Sequence, residues 1–214
     1  MTMSPMASPV RSLLLRLAPV AKRILPRPLQ RYLLLHVLRV NRGYVPLRSL
    51  ASRICLETEI LPWVSEHCPK VLFVGAAPYT CHYEKLFARG QYTTIDAHPS
   101  TAVWGSSDHI LAPIQEIRRH RPEGFFDCVV LNGVFGFGVD TPEEQRRVIE
   151  VLHGALRPGG LLVVGWNTDR HADPDAAGLF EPFFERVSEP SCMQRRRTFA
   201  GETHVYDFYV RLPA

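Results

Sequence analysis

The side chains best spaced for chemistry sit between positions 71 and 96. VLFVG (71–75) is a short buried run closed by Gly75, AAPYT (76–80) turns the chain, and Asp96 stands twenty-one residues after Gly75 at the end of a second apolar run, 92–96. A glycine at a strand end lets a ligand approach bare backbone, and a carboxylate ending the next strand accepts hydrogen bonds from ribose hydroxyls. A helix starting near Thr80 would offer unpaired N–H groups to a carboxylate or phosphate. This spacing serves any ligand that carries an adenosine ribose, whether nicotinamide, flavin or S-adenosylmethionine. A dinucleotide needs G-x-G-x-x-G so that pyrophosphate can rest on backbone. Here only Gly75 remains of that series, and Ala77 and Tyr79 crowd the turn, which disfavours a pyrophosphate.

Other chemistries find little support. The nine histidines are dispersed, with no H-x-x-x-H or H-E-x-x-H, so no metal site is expected. GVFGFG (133–138) is not followed by G-K-[ST] and is no phosphate loop, and no Gly-x-Ser-x-Gly elbow marks a hydrolase. His82, Tyr83 and His171 are the titratable groups nearest the expected pocket, and none is assigned as a catalytic base. Phe135 and Phe137 are read either as an aromatic wall or as core. The run Arg195–Arg196–Arg197 reads as a solvated loop before an anion site.

The elements that must position these groups follow from pattern. Apolar runs at 70–75, 92–96, 109–111, 126–132 and 161–166 alternate with amphipathic stretches, as in a doubly wound α/β chain building a mainly parallel sheet. Thr141, Pro142 and Glu144 spell a capping box for a helix that ends at Leu156, where Arg157-Pro158-Gly159-Gly160 turns into the next strand. The runs 183–187 and 205–212 predict two final strands separated by an Arg-rich loop, able to pair as an antiparallel hairpin. In front, apolar residues from Val10 to Ile24 recur at helical spacing, a second apolar and basic stretch covers 29–40 before a turn at 41–43, and a further helix is predicted over 47–67. The chain therefore divides into a basic helical extension, 1–67, and an α/β domain, 68–214.

Residues 1–56 hold ten Lys or Arg and no Asp or Glu, against fifteen and twenty-one beyond, so a +10 front precedes a −6 body. Three roles stay open for the front: a lid over the substrate pocket, an amphipathic segment at a membrane surface, or an organellar presequence. No apolar run approaches the roughly 20 residues of a membrane span. The five scattered cysteines lack a C-x-x-C pair and read as reduced thiols, which favours a cytoplasmic setting, peripheral at a membrane if the front binds one.

Over about 68–212 the sequence resembles the class I S-adenosylmethionine-dependent methyltransferases. Gly75 matches the first glycine of their first motif and Asp96 the acid of their second. FDCVVLNGVF (126–135) is similar to their fourth strand, and LRPGGLLVVGWN (156–167) to the helix end and fifth strand that follow. It departs in having Phe73 where an acid often precedes the glycine, a reduced turn GAAPYT, and Ala112-Pro113 where an acid commonly meets the adenine amine. The resemblance implies a seven-stranded sheet with helices on both faces, closed by a C-terminal antiparallel hairpin. It implies S-adenosylmethionine contacted by the backbone of Gly75, Ala76 and Ala77, with Asp96 and Ala97 at the ribose. Asn132, Gly133 and Val134 would lie beneath the sulfonium, and Tyr79 and Thr80 over the methionine portion. Methyl transfer to a small molecule is the implied activity, with a lipophilic acceptor favoured if the basic front binds anionic bilayers, and nucleic acid is disfavoured because the N/D-P-P-Y/F tetrapeptide is absent. The rival is a noncatalytic module of the same fold that docks through its basic front.

Overall fold

The computed structural model describes residues 25–40, 49–187, 193 and 196–213. The helix expected from Val10, the turn at 41–43, Cys192 and Arg195 lie outside them. The chain falls into two compact units, 1–44 and 45–214. In the first, α1 (Arg27–Tyr32) has Pro28 in its first turn, where a missing N–H costs nothing, and runs on as a π-helical stretch, Leu33–Val37.

The second unit opens with α2 (Ala51–Cys55) and α3 (Leu61–His67), joined by a π-helical stretch, Leu56–Ile60, in which Leu61 N–H bonds Leu56 O. Pro62 explains the widening, because its ring clashes with the carbonyl four residues back and its nitrogen donates nothing. This segment, assigned by sequence to the extension, is in the same unit as the sheet. Leu56, Ile60, Leu61 and Val64 are fully buried against it.

The strands are β1 (Val71–Val74), β2 (Tyr92–Asp96), β3 (Asp108–Leu111), β4 (Phe126–Asn132), β5 (Leu156–Asn167), β6 (Phe184–Arg186), β7 (Arg196–Thr198) and β8 (His204–Arg211). Their order is β3-β2-β1-β4-β5-β8-β6, parallel through β5 and antiparallel at β8 and β6, with β7 also on β8. Because β5 occupies one edge of β8 along its length, β6 and β7 share the other edge, and eight strands fill seven ranks. The Arg-rich loop thus holds a short strand that its polar sequence hides. β3 starts at Asp108, one residue before the predicted run 109–111, and Thr93 and Arg121 bond its carboxylate.

Alternation along each strand feeds two cores. Leu72, Val74, Val129, Leu131, Leu162 and Val164 pack with α4 (Ile117–His120) and α5 (Pro142–Ala155) on one face. Val71, Phe73, Cys128, Val130 and Val163 meet the 51–67 segment and Tyr83 on the other. A sheet covered on both faces needs continuous apolar strands, and β1 is buried at all four positions. The expected capping box starts α5: Thr141 Oγ1 accepts from Glu144 N–H at 3.3 Å and Glu144 Oε2 from Thr141 N–H at 3.1 Å. Leu156 pairs Phe126 while Leu161 pairs Cys128, so Arg157–Gly160 bulge out of a strand that begins earlier than its apolar run.

The helix predicted after Gly75 does not form. Residues 76–91 make turns and one 3-10 turn, Tyr83–Leu86. Thr80 Oγ1 bonds back to Ala77, satisfying the turn locally, and Phe87 is extended to stack on Tyr92 at 4.5 Å. Both arrangements compete with a continued helix.

Candidate functional site

At the carboxyl ends of the parallel strands the chain must turn sharply, and two glycines do so with positive φ. Gly75 (φ +95°) ends β1, and its N–H bonds Ile95 O at 2.8 Å. Gly133 (φ +66°) follows β4, and its N–H bonds Gly165 O at 2.9 Å. A Cβ built on either meets no atom within 4 Å, so both face open space where a ligand can lie against backbone.

Asp96 closes β2 beside Gly75. Its Oδ2 accepts from Ala76 N–H at 2.9 Å and its Oδ1 from His98 N–H at 2.8 Å, so the carboxylate ties the β1 and β2 turns together. Each oxygen keeps a free lone pair for a further donor.

Two cavities meet at Gly133 and Phe137. The first, of about 290 Å³, runs along Gly75, Asp96 and Ala97, then Gly133 and Val134, with Pro113, Ile114 and Gln115 as its far wall. The second, of about 310 Å³, is bounded by Arg53, Tyr79, Asn132, Asn167, His204 and Tyr206. Of the residues expected from sequence, Gly75, Asp96, Ala97, Gly133 and Val134 line the first and Tyr79, Asn132 and Gly133 the second. Ala76, Ala77 and Thr80 line neither; they build the turn behind it.

The second cavity carries the distinctive electrostatics. Glu202 accepts from the N–H groups of Ala51 (2.5 Å) and Ser52 (3.2 Å), pinning the start of α2. Arg53, on that turn, lies 4.6 Å over the Tyr79 ring and donates to the Tyr83 hydroxyl, which donates to Glu57 at 2.9 Å. Burial pulls the Arg53 guanidinium down, but Tyr83, by charge and hydrogen bond, outweighs it and leaves the group firmly protonated. His204 is the opposite case: burial, then the Arg53 charge, push it down to about 4 against the pull of Glu202, so the ring is neutral at pH 7. Its Nδ1 lies 3.1 Å from Asn167 Oδ1, whose Nδ2 donates to Thr203. Asn132 Oδ1 and His204 Nε2 are sealed from solvent without a hydrogen-bond partner among the described residues.

The titratable groups singled out by sequence stand elsewhere. Tyr83 is fully buried on Arg53 and Glu57, and burial pushes its phenol up. His82 lies 3.5 Å from Glu57, and His171 bonds Gln145 and the Ala172 carbonyl. Phe135 is core, whereas Phe137 is 55% exposed and walls both cavities. Arg196 pairs with Asp173 and Asp207, and Arg197 with Glu59. Among the described residues no group of three His, Cys, Asp or Glu can hold a metal, and no helix is long and apolar enough to cross a membrane.

No protein-family model and no curated protein matches this sequence. Solved structures do. The N-methyltransferase NodS of Bradyrhizobium japonicum, in complex with S-adenosyl-L-homocysteine, superposes with a TM-score of 0.59 over 86% of this chain and 99% of its own, at 18% identity. The chain has the class I methyltransferase fold. The PH0226 protein of Pyrococcus horikoshii matches with a TM-score of 0.59, 14% identity and coverages of 81% and 97%. A TehB-like SAM-dependent methyltransferase of Corynebacterium glutamicum gives 0.51, 17%, and 67% and 80%. Within this fold the first cavity lies at the carboxyl ends of β1 and β2, where open α/β sheets bind ligands.

Proposed function

We propose that the protein is an S-adenosylmethionine-dependent methyltransferase acting on a small, lipophilic acceptor. The observation that carries this reading is the pair of cavities joined at Gly133 and Phe137: one has the strand-end acid Asp96 and two bare glycines, the other an aromatic and polar lining. The NodS complex with the demethylated cofactor supports the choice of ligand. Asp96 takes the ribose hydroxyls, Ile114 and Val139 offer apolar surface to the adenine, and Gln115 stands near the position where the fold often has an acid. Asn132, Gly133 and Val134 bound the junction on which the sulfonium lies, and Tyr79 faces it from the second cavity, with Ala76, Ala77 and Thr80 shaping the turn behind.

When bound, S-adenosylmethionine supplies an electrophilic methyl group on a positively charged sulfur. The protein's share is to align an acceptor in the second cavity and keep water out, which Tyr79, Phe137 and Tyr206 are built to do. No side chain is assigned as a general base. The missing helix after β1 favours the rival, a noncatalytic module, since residues 76–91 present no α-helix N-terminus to an anionic ligand end. Calorimetric titration of S-adenosylmethionine, S-adenosylhomocysteine and NAD separates the two: saturable binding of the methyl-cycle pair without NAD is expected, and no binding of either refutes the enzyme. We further propose that the basic front docks the cytoplasmic protein peripherally on anionic lipid. Leu29, Tyr32 and Val37 are exposed beside Arg27 and Arg31 in α1 and its extension. Co-sedimentation with phosphatidylserine vesicles but not phosphatidylcholine vesicles tests it.

A further inference from the structure

Among the described residues that line the second cavity, Arg53 is the one fixed positive charge. Arg53 is half-buried and held on the Tyr79 face, and one guanidinium nitrogen is engaged by the Tyr83 hydroxyl. No carboxylate lies within ion-pair distance of it among the described residues. The nearby acids are engaged otherwise, Glu57 by Tyr83 and His82, Glu59 by Arg197, and Glu202 by the α2 backbone. The remaining lining does not offset the charge: His204 is neutral, Asn132 and Asn167 are amides, and the Tyr206 phenol is pushed up by burial. A half-buried guanidinium without an anion is costly unless an anion arrives, and its planar fork suits a carboxylate.

We infer that the acceptor carries a carboxylate on a flat, apolar body, that Arg53 is the residue recognising it, and that Tyr79 and Phe137 hold the body. The inference rests on the methyltransferase reading for the word acceptor, and on the cavity alone for the anion. One cation in about 310 Å³ matches a single negative charge on a compact molecule, not a phosphate dianion. The charge also complements the cofactor, since a carboxylate beside Arg53 lowers the field of two cations, guanidinium and sulfonium, facing one cavity. Glu202 acts as a positioning residue, fixing the turn from which Arg53 projects.

The test uses the full chain with benzoate and its neutral counterpart benzamide as probes, titrated with and without saturating S-adenosylhomocysteine. Wild type is expected to favour benzoate by about ten- to a hundredfold, the range of a charge-assisted hydrogen bond. Arg53→Gln should abolish the preference while S-adenosylhomocysteine affinity stays within about twofold, and Arg53→Lys should keep part of it. Lys retains the charge without the fork, so it guards against a loss caused by misfolding. Equal binding of the two probes by wild type, or an undiminished preference in Arg53→Gln, overturns the inference. Failure of S-adenosylhomocysteine to bind, with an Arg53-dependent benzoate preference intact, removes the methyltransferase reading and leaves the anion site standing.

Discussion

Asp96→Asn separates what the acid does for the fold from what it does for the ligand. In the free protein both carboxylate oxygens already accept a backbone N–H, from Ala76 at 2.9 Å and His98 at 2.8 Å. Asparagine offers one oxygen and one NH2, so one backbone N–H must face a donor. Losing one hydrogen bond to a charged group costs about 1.5–3 kcal/mol. At about 2–4 °C per kcal/mol for a chain of this size, the melting temperature should fall by about 3–12 °C. The second lone pair on each oxygen serves the ribose, and the amide also removes one of those acceptors. S-adenosylhomocysteine affinity should therefore drop a further ten- to hundredfold, about 1.5–3 kcal/mol. Scanning calorimetry reads the first effect, and titration calorimetry below the melting transition reads the second. A variant that melts early but binds the ligand within about twofold of wild type would refute the ribose role and leave Asp96 a brace between turns.

Three further outcomes follow from the same geometry. Asp207 is fully buried and bonds Trp166 Nε1 at 2.8 Å, Arg186 and Arg196. Asp207→Ala should cost about 2–4 kcal/mol in urea unfolding, below the full range for a broken buried pair because Asp173 and Asp175 retain the two arginines, and a change under about 1 kcal/mol would contradict this. The hydrogen bond from Arg196 holds Asp173 down to about 2 against its burial, so the pair stabilises the fold above about pH 4 and is lost as pH falls through 2. With a third of the side chain exposed, solvent screening reduces this to about 1 kcal/mol, so Asp173→Asn should be less stable at pH 5 and equal to wild type near pH 1.5. Gly165→Ala would set a Cβ 2.0 Å from Asn132 Oδ1 and 2.9 Å from the Tyr206 ring, so displacement of Asn132 should weaken S-adenosylhomocysteine binding, and unchanged affinity would place Asn132 away from the ligand.

Sequence patterns reveal local elements and hide sites assembled across the chain. β2 and β4 span the predicted 92–96 and 126–132, because each is a buried run with a punctuated end, and the α5 capping box was legible because both partners are three residues apart. The helix after Gly75 was wrong because Thr80 and Phe87 satisfy local turns and a stacking contact that propensity does not count. The second cavity was missed for a topological reason. Parallel strands bring their carboxyl ends to one edge, but β8 runs antiparallel, so its first residue, His204, pairs Asn167 at the end of β5. The start of the last strand thus belongs to the same edge as the ends of the others. Alternation carries the remaining signal: Tyr206 and Phe208 bury on the face covered by the 51–67 segment, and His204 is the next residue on that face. A histidine continuing an aromatic row past the covered core, on the one strand whose beginning meets the ligand edge, is the pattern that would have found this wall. Arg53 has no such signal, because it reaches the cavity only once the 51–67 segment packs on that face.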